Sequence, residues 1–190
     1  PGESWLNNPD YMVDGNEGTF ASTGVDGDVE FLDGNSCVGE DLGVIGKIEL
    51  RCRGYNSGSG GPGSVKNIIL RPVFSGGDGD DHVFVTSSSA GWSVWFNITD
   101  DTNAPVKWDW KNVIGLCCDV ESNLTSGFTL YCSKVVIRVT YNPYSGPEFS
   151  NPYPPDGGMG VPINPLLSIT VNHPLGSVMN ISWYSNCSGS

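Results

Sequence analysis

Before Tyr141 the apolar residues recur mostly at period two, and little of the chain shows the 3.6-residue period of an amphipathic helix. The clearest run is 46–55, where Ile48, Leu50 and Cys52 alternate with Lys47, Glu49, Arg51 and Arg53. Such alternation makes one face of a strand apolar and the other polar, as in a half-buried sheet. A second run, 128–141, ends with Val135, Ile137, Val139 and Tyr141 on one face and Lys134, Arg138 and Thr140 on the other. A third, 92–99, predicts Trp92, Val94, Phe96 and Ile98 inward and Ser93, Trp95, Asn97 and Thr99 outward. Shorter strands are expected at 28–32, 65–74 and 82–86, and a short helical turn at 110–116. Glycine-rich stretches at 56–64 and 76–81 separate these elements. Many short strands at this spacing, without βαβ units, predict an all-β jelly-roll sandwich over residues 1–142.

The pattern changes after Tyr141. Seven of the 13 prolines fall between Asn142 and Pro165, which marks 143–165 as a Pro-rich linker. Beyond it, in 166–190, two alternating runs follow, Leu167-Ile169-Val171 and Met179-Ile181-Trp183, joined across 172–177. They read as a β-hairpin, and a lone hairpin is only marginally stable. Its apolar face, made of those six side chains, is therefore expected to be covered by something outside the first domain.

Composition narrows the function classes. With 9 basic against 21 acidic residues the formal net charge is −12, which repels phosphate backbones and disfavours nucleic acid as a partner. No apolar run is long enough to span a membrane as a helix, and Pro1 to Trp5 lacks the basic and apolar regions of a signal peptide. The six cysteines, Cys37, Cys52, Cys117, Cys118, Cys132 and Cys187, have no zinc-type spacing and are expected to form disulfides, which implies an oxidising compartment. Six cysteines allow fifteen connectivities. Cys187 either bonds back to the first domain or pairs between chains. Four N-x-S/T sequons, at Asn97, Asn123, Asn180 and Asn186, are candidate glycosylation sites, with Asn97 and Asn180 on outward faces and Asn123 in a loop.

Catalytic constellations are scarce. The two histidines, His82 and His173, fall in different predicted domains, and neither G-x-S-x-G nor H-E-x-x-H occurs. Gly58-x-Gly60-x-x-Gly63 lies in a Gly/Ser loop feeding a strand rather than opening a helix, so it is a turn. Asp109, Asp119 and Glu121 are the carboxylates a glycosidase would draw on, but nothing in their spacing pairs them, and a non-enzymatic role is expected. Two acidic clusters, 14–19 and 78–81, offer oxygen ligands to a hard cation, although Asp with Gly also builds tight turns. Trp95 is the outward aromatic, suited either to stacking on a sugar or to a subunit contact.

The run Trp5 to Ser22, W-L-N-N-P-D-Y-M-V-D-G-N-E-G-T-F-A-S, resembles the opening of discoidin-like or galactose-binding-like jelly rolls. There an x-D-G-x-x-x-T element accompanies a structural calcium, so the resemblance implies calcium at Asp14 and Thr19. The segment W-D-W-K-N-V-I-G-L-C-C-D-V, with V-V-I-R-V-T-Y after it, resembles closing strands of jelly-roll modules in prokaryotic and phage surface proteins. Pro152 to Tyr184 is similar to the first two strands of bacterial Ig-like repeats. An Ig-like domain needs about 100 residues, so this one is expected to be incomplete. Together these features imply a secreted structural or adhesive component of a cell-surface fibre or layer. Its expected partners are copies of itself or further domains of the parent protein, joined by strand addition. The alternatives are a carbohydrate-binding module of a secreted hydrolase and a phage decoration domain.

Overall fold

The computed structural model describes residues 5, 7–37, 39–143, 148–155, 157–162, 164, 166–172 and 182. The chain forms two compact units, Pro1–Asn142 and Pro143–Ser190. The described residues are predominantly antiparallel strand, in keeping with an all-β protein, and none of their helices is long and apolar enough to cross a membrane.

The first unit is a sandwich of two five-stranded sheets. One sheet holds β1 (Ala21–Thr23), β10 (Phe128–Pro143), β3 (Gly43–Gly58) and, in succession along β3, the two-residue strands β7 (Gly91–Trp92) and β8 (Phe96–Asn97). The other holds β2 (Val29–Leu32), β9 (Cys117–Leu124), β4 (Lys66–Phe74) and, both on β4, β5 (Gly77–Asp78) and β6 (His82–Val85). The expected strands at 46–55, 65–74 and 128–141 are its three long members. β9 was not expected, and it is central, pairing with both β2 and β4.

The core lies between the sheets. Ile48, Leu50 and Cys52 of β3 and Leu130 and Cys132 of β10 meet Ile68, Leu70 and Phe74 of β4 and Cys118, Val120 and Leu124 of β9. Tryptophans close the ends of this core with their one polar atom satisfied, as burial demands. Trp5 Nε1 donates to the Val120 carbonyl at 3.0 Å, Trp110 Nε1 to Gly43 at 2.8 Å and Trp108 Nε1 to Thr99 at 2.9 Å. Trp110 opens the short helix α1 (Trp110–Ile114), whose start is fixed by a reciprocal cap between Asp109 and Asn112.

Along β10 the inward set changes phase. Phe128, Leu130 and Cys132 face the core, then Val135, Ile137 and Val139 pack against it, so two residues are spent at Ser133–Lys134 as in a β-bulge. Where β3 runs beside β10 at Gly54 only glycine fits: a Cβ there would meet the Tyr131 carbonyl oxygen and stand 2.7 Å from Ile68 Cδ1.

Described by itself, the second unit contains an antiparallel pair, β11 (Glu148–Tyr153) with β12 (Ser168–Asn172). The expected linker 143–165 thus contains a strand. Its Pro152 is tolerated because the strand has one paired side among the described residues, and Asn151, at φ 51°, shifts the register between Ser150 and Tyr153. β12 matches the first half of the expected hairpin, with Ile169 and Val171 half-buried and Ser168, Thr170 and Asn172 exposed. Its described partner is β11 rather than the 179–183 run. Met179, Ile181 and Trp183 lie outside the described residues.

Candidate functional site

The outer face of the first sheet concentrates the chain's cations and aromatic rings. β3 turns Lys47, Glu49, Arg51, Arg53 and Tyr55 to this side because Ile48, Leu50 and Cys52 occupy the core side. Pairing places Trp92 opposite Arg53 and Asn97 opposite Glu49. Trp92 therefore belongs to the outer face, not to the core as its alternation suggested. Ser93 is the reason: its buried hydroxyl accepts from the Cys52 amide at 3.1 Å and donates to the Val94 carbonyl at 2.8 Å. The strand is interrupted there, Val94 swings out to 70% exposure, and Phe96 returns inward opposite Leu50.

Around that break the guanidinium carbon of Arg51 lies 4.0 Å from the centroid of the Trp92 ring and 4.2 Å from that of Trp95. Arg138, from β10, lies 4.1 Å from the Trp95 centroid. These are close cation–π contacts. Trp95 is thus already engaged by two guanidinium groups and does not offer the bare stacking platform its position suggested. Glu49 ties the other end: it accepts from Lys47 Nζ at 2.6 Å and from Arg138 Nε at 2.7 Å and Nη2 at 2.6 Å. The Lys47 ammonium, followed by Arg138, holds the Glu49 carboxyl below its usual range against the opposing effect of burial. Among the described residues no carboxylate lies within ion-pair distance of Arg51, and its Nε is buried without a hydrogen-bond partner. Further along β3, Arg53 Nη1 donates to the Glu17 carbonyl, Tyr55 stacks on Tyr131 with centroids 4.4 Å apart, and Phe20 meets Tyr55 edge-on.

The loop expected to hold calcium is closed by its own hydrogen bonds. Asp14 accepts from the Asn16 amide at 2.7 Å and from Thr19 Oγ1 at 2.6 Å, and the Thr19 hydroxyl also reaches the Asn16 carbonyl. The Thr19 hydroxyl and then the Asn16 amide hold the Asp14 carboxyl below its ordinary value. Four oxygens, Asp14 Oδ1 and Oδ2, Thr19 Oγ1 and the Asn16 carbonyl, take part in these bonds, against roughly six to eight in a calcium shell. Among the described residues no group of three or more His, Cys, Asp or Glu side chains is placed to hold a metal ion.

No protein-family model, curated protein or solved structure matches the chain.

The remaining candidates are dispersed. Asn97 is exposed in β8, its Oδ1 accepting from the hydroxyl of Thr99, the third residue of its own sequon. Asn123 lies in β9 opposite Asn67, not in a loop. Asn180, Asn186 and Cys187 fall outside the described residues. Cys37, Cys52, Cys117, Cys118 and Cys132 are free thiols, so no disulfide joins the described cysteines. Three of them pack as small apolar side chains in the core. Contact with Cys132, then burial, raises the Cys52 thiol; burial, then Asp119, raises Cys118; and burial, then Asp33, raises Cys117. His82 Nε2 lies 2.8 Å from Asp101 Oδ2. Of the carboxylates a glycosidase would need, Asp109 caps α1, while Glu121 pairs with Arg71 at 3.0 Å on the second sheet. A cavity of about 690 Å³ opens between the sheets, lined chiefly by Leu32, Leu50, Leu116, Val135, Ile137 and Val139, with Cys37 and Cys117 at its wall.

Proposed function

We propose that the protein is an extracellular structural or adhesive module of a cell-surface fibre or layer, joined to a second copy by strand addition at its C-terminal sheet. The observation that carries this reading is the contrast in sheet edges. In the sandwich every edge strand is two to four residues long, the short form that blunts edge-to-edge pairing. In the second unit β11 and β12 have five to six residues. Around them Phe149 is 65% exposed, Leu166 78% and Met159 97%. Apolar side chains beside a strand paired on one side among the described residues suit an added strand, whose main chain supplies hydrogen bonds and whose alternate side chains cover the rings.

Light scattering across a concentration series, with negative-stain microscopy, tests the reading. Concentration-dependent oligomers or filaments are expected, weakened by Phe149→Lys. A strict monomer at high concentration refutes it. A second reading, carbohydrate binding, is favoured by the aromatic and cationic stripe on the first sheet, which the adhesive role would use.

A further inference from the structure

We infer that the stripe along β3 is a binding surface for a linear acidic polysaccharide, one bearing a carboxylate on each sugar. The inference rests on the adhesive half of the reading above and is independent of strand addition. Its first support is charge. Four of the chain's nine cations, Lys47, Arg51, Arg53 and Arg138, share one sheet face with two carboxylates, Glu49 and Glu17, in a chain of net charge −12. Two cations therefore remain uncompensated locally, and Arg51 is one of them. The second support is preorganisation: Trp92 and Trp95 hold the Arg51 guanidinium at 4.0 and 4.2 Å from their ring centroids, so little side-chain entropy is lost when it takes an oxyanion.

Shape selects the class of partner. From Lys47 to Tyr55 the stripe follows one face of an extended strand for about 26 Å, open and elongated, whereas a small ligand is normally enclosed in a concave pocket. Along it cations alternate with rings: Lys47 and Arg138 first, then Trp95, Arg51, Trp92, Arg53 and Tyr55. A uronate chain presents the same alternation, its carboxylates spaced between apolar C–H faces that pack on aromatic rings. An acidic peptide would more readily add as a strand, and the edge beside this stripe consists of two-residue strands.

Affinity electrophoresis of the full chain through gels cast with polygalacturonate tests the proposal, with the fully methyl-esterified polymer as the control that removes only the charge. Retardation is expected in the first gel and not in the second, falling as salt is raised. Arg51→Gln is expected to weaken it about tenfold or more. Lys47→Gln, at a side chain 44% exposed, is expected to weaken it less and, losing only one of the two cations on Glu49, to remain folded with a slightly lowered melting temperature, which covers the case in which the Arg51 variant fails to fold. No retardation, equal retardation by the esterified polymer, or two folded variants that bind like the parent would each overturn the inference. Salt-sensitive self-association without polymer that disappears in Arg51→Gln would also overturn it, by giving the stripe to a second copy. Loss of strand-mediated assembly with polymer binding intact would sink the assembly reading alone.

Discussion

Two regions of this chain handle their apolar side chains in opposite ways. In the sandwich Trp5, Met12, Ile48, Leu50, Ile68, Leu70, Ile98 and Leu130 are all fully buried between two sheets. In the described part of the second unit Phe149, Tyr153, Met159, Leu166 and Leu167 are all exposed. Burial of a large aliphatic side chain is worth roughly 1.5–3 kcal/mol. The first region therefore carries the stability. The second holds apolar surface that a partner can still use. The difference locates where mutation should be felt in folding and where it should be felt only in association.

The most disruptive change should be Gly54→Val. A Cβ there meets the Tyr131 carbonyl oxygen and the Ile68 methyl from two directions, and the backbone oxygen cannot swing aside as a side-chain end can. We expect a loss of about 3 kcal/mol or more, read as a collapse of the main thermal transition. A melting temperature within a degree or two of the parent would contradict this geometry. Next is a matched pair that sets the two regions against each other. Leu70→Ala empties a site with no solvent exposure and should cost about 3 kcal/mol. Leu167→Ala removes an exposed side chain and should change the stability of the sandwich by less than about 0.5 kcal/mol. Equal effects in urea titrations would erase the contrast.

How far this contrast could be read from the residues depends on the element. The alternation of β3 was transparent, because Ile48, Leu50 and Cys52 are all inward and fully buried. β9 was opaque for the opposite reason. Its inward positions are Cys118, Val120, Ser122 and Leu124, and a serine in a core position breaks an apolar pattern. Ser122 is tolerated because its hydroxyl donates to the Val25 carbonyl at 2.7 Å and accepts from the Asp28 amide at 2.9 Å, partners that only the fold reveals. The run 92–99 misled only in its first half. There a serine hydroxyl took over a strand hydrogen bond, so Trp92, Ser93 and Val94 show the opposite faces, whereas Trp95, Phe96, Asn97 and Ile98 keep the expected ones. β11 was hidden by its prolines. At the site, the cations of β3 were legible as an outward row. The capture of Arg51 by two indoles was not, since Trp92 was assigned to the core.

Thiol chemistry probes the sandwich more finely. Cys52, Cys118 and Cys132 are buried, while Cys37 and Cys117 are half-buried at the wall of the cavity. Only the thiolate reacts, and the thiols of Cys52, Cys118 and Cys117 are all pushed up. A chromogenic disulfide reagent should therefore titrate the Cys37 and Cys117 thiols in the native protein, Cys117 slowly and faster as pH rises. The three core thiols should appear only on unfolding. In a Cys187→Ser chain, which leaves these five of the six cysteines, simultaneous reaction of all five would mean an open core, and their absence after unfolding would reveal disulfides.

The smallest expected effect is in the pH dependence of the stripe. Lys47 and Arg138 hold Glu49 below the ordinary carboxyl value in the folded chain. A group with a depressed folded-state pKa adds stability that is complete above its unfolded pKa and is lost as pH falls through the folded one. Acidification below the ordinary carboxyl range should therefore weaken the sandwich, and Glu49→Gln should remove part of that slope while costing stability at neutral pH. Arg138 would lose its carboxylate partner in the same step, leaving its guanidinium against Trp95 without the anchor that orients it. Tryptophan fluorescence should consequently shift over the window in which Glu49 protonates, and the shift should be absent in Glu49→Gln. A fluorescence titration identical in the two proteins would mean that the Trp95 environment does not depend on the Glu49 charge. The stripe would then be held by its rings alone, as sharply distinct from the loosely covered C-terminal sheet at low pH as at neutral pH.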